Sequence, residues 1–221
     1  MTSPEFDPGA EFDRQVRTLS EGWGRPDLAE LAAPLKPIAL SHPAAQDAPQ
    51  EGRVPFLIVV PRALLPLEEA LPRLTLAGKA KPGVIDRNYQ GPQDVASFVT
   101  IQALLEDDAS EKLPYLVFDI ERGEEFCDVV PLAALETIEQ RGRTPLSIEE
   151  GVALLTHFPA LLAKNKCFEL AGSRNGDKRV PALWISEGAP KLGWCWQGNP
   201  HTWLGMASAG SRFGALATVC C

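Results

Sequence analysis

The sequence lacks any apolar run long enough to cross a membrane. Its longest apolar runs, such as residues 54–60, fall far short of the ~20 residues that a membrane-spanning helix requires. The N-terminal stretch MTSPEFDPGAEFD is acidic and has neither the basic start nor the apolar stretch of a secretory signal. We therefore expect a cytoplasmic protein without a membrane partner.

The chain also lacks an excess of positive charge. Its 21 Lys and Arg residues are outnumbered by 29 Asp and Glu residues, which gives a net charge of −8. A field of that sign repels phosphate backbones and anionic lipid. We therefore expect no nucleic-acid partner. Apolar residues make up 45% and charged residues 23% of the 221 residues, which is ordinary usage for a globular domain with its own core.

No two cysteines have the CxxC spacing of a metal or redox motif. The five cysteines are odd in number and scattered, which favours free thiols in a reducing compartment. A zinc site built from Cys167, Cys195 and His201 would need spacings unlike those of common structural zinc sites. The sequence therefore predicts neither a metal nor a cofactor.

What the chain does contain begins with a predicted helical arm over residues 1–40. Phe12, Val16 and Leu19 recur at i, i+4 and i+7, and Leu28, Leu31 and Leu35 recur at i, i+3 and i+7. Residues 41–53 are polar with interspersed Pro and Ala, a composition typical of a mobile linker. We expect the arm and the linker to precede a separate body.

The body, residues 54–205, has the pattern of an α+β domain. A mostly antiparallel sheet is predicted from residues 54–60, 115–120, 167–171, 180–185 and 192–196, with packing helices at residues 131–140 and from Ser147 onward. Ser147 and Glu150 form the Ser-x-x-Glu pattern of a helix capping box. No regular βαβ alternation is present, and residues 206–221 are predicted to be a loosely ordered tail.

The Asn175-Gly176 pair predicts a hairpin, because both residue types accept the positive φ of a type I′ turn. Its flanks, residues 167–171 and 180–185, should pair antiparallel. Pro181 would then lie at a sheet edge or on a bulge. Arg174, Lys178 and Arg179 surround the turn, where they can bind an anion or simply keep the turn solvated.

Four of the five tryptophans lie between residues 172 and 205, together with one cysteine and one histidine. Alternation along a strand puts Trp194 and Trp196 on one face and Cys195 on the other. Aromatic-lined concavities with a few polar groups are the usual form of small-molecule sites, whereas the same indoles can also fill a core. The candidate ligand-binding residues are Trp184, Trp194, Trp196, Asn199, Trp203, Arg174 and Arg179.

Two arrangements suggest an enzyme as an alternative. Cys195 can act as a nucleophile with His201 as its base, although catalytic Cys and His are normally brought together by the fold rather than by sequence. Asp119 and Glu121 share a face if the strand continues through both, and paired carboxylates can hold Mg²⁺ or share a proton. The competing interpretations are a buried cysteine and a solvated acidic turn.

Several segments together resemble an actinobacterial family known only as a domain of unknown function. They are RGRTPLSIEEGVALLTHFP, KNKCFELAGSR and DKRVPALWISEGAPKLGWCWQGNPHTWLG between residues 141 and 205, with GRVPFLIVV at residues 52–60 and FDRQV at residues 12–16. The resemblance implies a bacterial cytosolic protein and assigns no catalytic residue. In a specialised role, such as a step in specialised metabolism, substrate contacts would lie in the more variable residues 77–110 and in the C-terminal tail.

The leading hypothesis from the sequence is a protein that binds a small molecule through a tryptophan-rich pocket. An enzyme using Cys195 and His201, or Asp119 and Glu121, is the first alternative. A protein-interaction or regulatory module without a ligand is the second.

Overall fold

The computed structural model describes residues 6–101 and 112–214. Within these residues, the α-helices are α1 (Pro8–Arg17), α2 (Asp27–Ala32), α3 (Lys36–Ser41), α4 (Leu67–Ala70), α5 (Pro92–Ala96), α6 (Pro131–Gln140) and α7 (Ile148–His157). The strands are β1 (Arg53–Val59), β2 (Val84–Ile85), β3 (Val99–Thr100), β4 (Tyr115–Glu121), β5 (Thr144–Pro145), β6 (Cys167–Glu169), β7 (Ser173–Arg174), β8 (Arg179–Ser186), β9 (Ala189–Trp196), β10 (Leu204–Met206), β11 (Ser208–Ala209) and β12 (Ser211–Gly214). None of these helices has the length and apolar character of a membrane span.

The strands form two five-stranded sheets and one two-stranded sheet. The first sheet has the order β1-β4-β11-β5, with β12 also paired to β4, and the second has the order β10-β6-β8-β9-β2. Most pairs are antiparallel, and β10 with β6 and β2 with β9 are parallel. The predicted α+β class is confirmed. The prediction of one sheet for all five strands is wrong, because β1 and β4 pair with each other, away from β6, β8 and β9.

The N-terminal helices pack directly on the sheets, so residues 6–40 are not a separate arm. Phe12, Leu19 and Leu35 are buried in the common core. Gln15 is also fully buried. Its side-chain amide donates to the carbonyl of Phe56 (3.0 Å), and its oxygen accepts from the N–H of Ile58 (2.8 Å). Among the described strands β1 pairs with β4 alone, so Gln15 satisfies backbone groups on the free edge of β1.

The predicted linker is also more ordered than its composition suggests. Pro43–Gln46 forms a 3₁₀ turn, and Ala45 within it is fully buried. His42 stacks on Phe118 of β4 with ring centroids 3.7 Å apart. Residues 41–53 are therefore tied to the body at several points, because small apolar side chains and one imidazole give this polar stretch a buried face.

The predicted hairpin flanks do pair, but the turn between them is different. Phe168 lies opposite Leu183 and Glu169 opposite Ala182 in an antiparallel ladder. Gly176 has a positive φ and Asn175 does not, so the two residues cannot form the predicted type I′ turn. Instead, the side chain of Asn175 accepts from the N–H of Asp177 (3.2 Å). The connection also widens to include β7, which pairs with β3.

Pro181 lies in a central strand, which corrects the prediction of an edge position. β8 runs between β6 and β9. The carbonyl of Pro181 accepts from the N–H of Leu170 (2.8 Å), one residue beyond the end of β6. The carbonyl of Leu170, which an N–H at position 181 would otherwise meet, accepts from the N–H of Ser173 instead (3.1 Å), so the missing N–H of Pro181 leaves no acceptor unpaired there.

The prediction of a loosely ordered tail is wrong for residues 206–214. Met206 ends β10 in the second sheet, and β11 and β12 pair with β4 in the first sheet. This segment therefore connects the two sheets. Small residues such as Ala207 and Ala209 are fully buried in it, which explains why its composition resembled a flexible tail. Residues 215–221 lie outside the described part.

A buried carboxylate holds the last strand in position. Ser147 and Glu150 form the predicted capping box at the start of α7. Glu150 is fully buried and accepts from the N–H of Ser147 (2.8 Å), from Arg212 Nη2 (2.8 Å) and from the hydroxyl of Tyr115 (3.3 Å). One side chain therefore joins the N-terminus of α7 to β4 and β12.

We predict that Arg212→Met is strongly destabilising. The substitution leaves the Glu150 carboxylate buried without its cationic partner, which typically costs about 3–5 kcal/mol of folding free energy. Lys36→Met is a matched control, because Lys36 pairs with Asp13 (2.6 Å) where the two side chains are 39% and 47% exposed, and pairs in contact with solvent contribute about 1 kcal/mol or less. Urea unfolding measures both changes. Equal losses in the two variants would contradict this role for Arg212.

Candidate functional site

The sheet register separates the tryptophans into two pairs. β8 and β9 pair continuously, with Pro181 opposite Trp194 and Trp184 opposite Lys191. Side chains opposite each other in a ladder share a face, and neighbours along a strand alternate. Trp194 and Trp196 therefore lie on one face of the second sheet, as predicted, and Trp184 lies on the other.

The face that carries Trp184 is filled by packing. The Trp184 indole lies against Gly193, where any side chain would collide with it. Trp203 meets Trp184 edge to face with ring centroids 6.3 Å apart, and His201 lies 5.6 Å from Trp203. Both indoles are half-buried and pack on the core. This pair is an aromatic cover over Gly193, and Trp203 does not share a wall with Trp194 and Trp196.

The opposite face carries an ordered stack beneath Trp196. The indoles of Trp194 and Trp196 meet edge to face at 5.0 Å. The Arg179 guanidinium lies over Trp194 (5.4 Å) and over Phe98 (4.9 Å). It also forms a two-point ion pair with Asp94 (2.9 and 3.0 Å). This bonding to Asp94, ahead of the pairing with Asp177, raises the pKa of Arg179. Arg179 therefore supports the tryptophans, and its guanidinium is already paired with carboxylates.

Trp196 stands at an open concavity, which we call the Trp196 groove. It spans about 1030 Å³, a volume that includes open solvent, and its lining residues are Arg174, Gly176, Asp177, Lys178, Trp196 and Gln197. Trp196 is 47% exposed, which is unusual for a side chain with so much apolar surface. Arg174 donates to the side-chain oxygen of Gln197 (2.6 Å) and to the carbonyl of Asp177 (3.2 Å).

The cations of the groove have no acidic partner in the described part of the chain. Among the residues that the structure describes, neither Arg174 nor Lys178 forms an ion pair with a carboxylate. Asp177, the acidic residue of the lining, is bonded to Arg179 instead (2.7 Å). The groove therefore combines a partly exposed indole with two positive charges that remain available to an anion.

The structure brings together two of the seven ligand-binding candidates from the sequence. Arg174 and Trp196 line the Trp196 groove, and Arg179 and Trp194 lie beneath it. Asn199 is exposed in the following turn, where its N–H donates to the carbonyl of Trp196 (3.0 Å). Trp184 and Trp203 lie on the opposite face. Sequence reasoning missed Gln197, for which an amide beside a tryptophan gave no distinctive signal.

Cys195 faces a buried glutamate. Its thiol donates to Glu169 Oε1 at 2.7 Å, and the two residues are 9% and 4% exposed. Burial, and then the neighbouring Glu169 carboxylate, raises the pKa of Cys195 above its ordinary value. Burial likewise raises the pKa of Glu169 to about 7. A cysteine nucleophile needs the opposite shift, and among the described contacts its hydrogen-bond partner is a carboxyl group rather than the imidazole of His201.

The carboxylates of Asp119 and Glu121 are held by two arginines. Arg53 lies 2.7 Å from Asp119 and 3.2 Å from Glu121, and Arg143 contacts both from the other side. Partial burial acts to raise the pKa of Asp119, but the bonds to Arg53 and Arg143 outweigh it and lower the pKa. Asp119 also has a positive φ of 52°. Among described residues, no cluster of His, Cys, Asp or Glu has a metal-binding arrangement.

A second crevice lies between β1, α4 and α7. It is lined by apolar side chains and by Glu149, which pairs with Arg62. The space inside it that a water molecule can reach is small, about enough for one water. In this form the crevice is too narrow for a ligand, and the Trp196 groove is the better candidate site.

We predict that Glu169 makes the protein less stable as the pH rises. Its pKa is higher in the folded state than the ordinary 4.5, so the folded state holds the proton more tightly. This contribution is complete below the unfolded pKa and is lost as the pH rises through about 7. Between about pH 5 and about pH 8, the wild type should lose about 2–3 kcal/mol relative to Glu169→Gln. Urea unfolding at both pH values measures the difference, and a pH-independent difference would contradict the prediction.

We also predict that Cys195 is inert to thiol reagents in the folded protein. Its raised pKa keeps the reactive thiolate scarce, and its burial blocks access. Labelling across the neutral range, followed by peptide mapping, should modify the less buried Cys127 before Cys195. Rapid labelling of Cys195 at a pH below 9.0, the ordinary pKa of a cysteine thiol, would instead mean an activated nucleophile.

Comparison with known proteins gives the chain a family without an activity. No curated protein and no solved structure matches the chain. A family model does match, over residues 18–215, and its description is "Family of unknown function (DUF5701)". This match covers most of the chain and includes the two large sheets and the Trp196 groove. The chain therefore belongs to the DUF5701 family of unknown function.

Proposed function

We propose that this protein binds an anionic ligand that carries a planar or apolar part, and that the Trp196 groove is its binding site. The observation that carries the proposal is the exposed indole of Trp196 beside Arg174 and Lys178, neither of which has a carboxylate partner among the described residues. A carboxylate or phosphate group of the ligand bonds to the two cations. The planar part lies on the indole.

The groove is preorganised for such a ligand. Gln197 holds the Arg174 guanidinium through a 2.6 Å hydrogen bond. Trp194 supports Trp196 from below, and Arg179 fixes Trp194 in turn. Side chains that are already ordered lose less conformational entropy on binding, which favours affinity.

The proposal also concerns the class of ligand and the compartment in which the protein meets it. The simplest ligand of this chemistry is a small aromatic carboxylate or phosphate ester. An actinobacterial cytoplasm, which the sequence resemblance implies, provides such metabolites. A role in specialised metabolism is the finer form of the proposal.

The geometry favours binding over catalysis. The six lining residues of the groove include no histidine, cysteine or serine. The thiol of Cys195 faces Glu169 in the core. Asp119 and Glu121 are neutralised by Arg53 and Arg143. The enzyme alternatives therefore lack an activated group at an accessible surface.

The proposal is tested with 2-naphthoate as the probe and neutral 2-naphthamide as its matched analogue. We expect naphthoate to bind more tightly than the amide, and added salt to weaken the naphthoate complex because surface charges are screened. Trp196→Ala and Lys178→Gln should each weaken binding about tenfold, which corresponds to about 1.4 kcal/mol. Equilibrium dialysis measures these affinities without relying on tryptophan fluorescence.

Trp23→Phe and Lys164→Gln are the controls, because both positions lie outside the lining of the groove. They should leave the affinity for naphthoate unchanged. Equal binding of acid and amide would remove the role of the cations. Equal affinity in Trp196→Ala and the wild type would remove the groove as the site.

A further inference from the structure

Exposed apolar side chains are concentrated around the Trp196 groove. Seven large apolar side chains are exposed among the described residues, and five of them lie in or next to this groove: Val99, Ile101, Val130, Leu132 and Trp196. Contiguous exposed apolar surface usually marks an interaction site, whereas single exposed apolar residues are normal. The clustering therefore needs an explanation beyond that for any one residue.

Backbone contacts connect three of these residues to the groove or to its border. Val99 lies directly opposite Arg174 in the β3–β7 ladder, so the two side chains share a face. Ile101 follows two residues later, and its N–H donates to the carbonyl of Gly172 (2.8 Å). On the other side, the N–H of Leu132 reaches the carbonyl of Gln197 (3.4 Å).

The resulting patch is larger than a small ligand needs. A small molecule held by Trp196 and the two cations leaves Val99, Ile101, Val130 and Leu132 uncovered. Small-molecule sites are usually concave and bury most of the ligand, whereas this surface is wide and open. An elongated partner that has both negative charge and apolar side chains covers the whole patch.

The charge of the patch selects the kind of partner. Arg174 and Lys178 are positive and without carboxylate partners in the described part of the chain, although the protein has a net charge of −8. Complementary charge steers association and excludes wrong partners. A second copy of the chain would present the same two cations at a symmetric contact, where they would repel each other. An acidic partner is complementary.

We propose that the Trp196 groove and the four apolar side chains beside it form one docking surface for an acidic polypeptide segment of a partner protein. This proposal rests on the proposed function, and it identifies a polypeptide as the source of the ligand's anionic and apolar groups. Asp or Glu side chains of the segment bond to Arg174 and Lys178. One aromatic or aliphatic side chain packs on Trp196, and another packs on Leu132.

The test is selection from a displayed library of random peptides on the full chain, followed by synthesis of the peptides selected. We expect the selected peptides to combine acidic residues with aromatic or leucine anchors. Leu132→Ser and Val99→Ser should each weaken their binding at least fivefold. Leu40→Ser is the matched control, because Leu132 and Leu40 are both 44% exposed and Leu40 lies on α3, and it should bind normally.

The outcomes separate this proposal from the proposed function. Leu132 and Val99 do not line the groove, so Leu132→Ser and Val99→Ser should bind 2-naphthoate normally. Naphthoate binding without any selected peptide, or peptides that bind Leu132→Ser as well as wild type, overturns the docking surface and leaves the groove. Loss of naphthoate binding in Trp196→Ala, together with loss of the peptides, supports both.

Two other occupants would also overturn the proposal. If analytical ultracentrifugation finds a dimer that Leu132→Ser dissociates, the surface joins two copies of the chain. Residues 102–111 contain Leu104 and Leu105 followed by acidic residues and lie outside the described part of the structure. If peptides bind only after Leu104→Ser and Leu105→Ser are introduced together, the occupant is this segment of the chain itself.

Discussion

The buried carboxylate of Glu150 is the interaction on which the assembly of this fold depends most. It caps α7, accepts from Tyr115 on β4 and pairs with Arg212 on β12. A buried charge is tolerated only when its partners are in position. The three elements must therefore meet in one arrangement. Because α7 also contacts β8, this arrangement fixes the first sheet relative to the second.

The C-terminal segment carries this constraint to the Trp196 groove. β10 lies beside β6 in the second sheet, and the chain then passes to β11 and β12 in the first sheet. The N–H of Ala207 donates to the carbonyl of Glu169 at the crossing (3.1 Å). The carboxylate of Glu169 in turn accepts a hydrogen bond from the thiol of Cys195 on β9. The face of β9 that carries Cys195 is thereby buried, and the indole of Trp196 lies on the opposite, open face.

Local patterns in the sequence predicted local structure well. The capping box at Ser147, the helix at residues 131–140 and the pairing of Trp194 with Trp196 on one face all follow from short-range rules. Long-range pairing does not leave such a signal. Nothing near β1 indicates that β4 alone is its partner, or that Gln15 covers its edge. The position of Trp203 opposite Trp196 depends on the register of four strands, and the burial of Glu169 depends on Cys195 facing it.

The central claim is that the tryptophan-rich segment has a closed face and an open face, and that the open face binds. The most direct measurement is ¹⁹F NMR of the protein labelled with 5-fluorotryptophan, with resonances assigned by single Trp→Phe substitutions. The account predicts that Trp196 has the largest shift between H₂O and D₂O and that its resonance alone moves strongly on addition of 2-naphthoate. A response at Trp184 or Trp203 with Trp196 unchanged would contradict it.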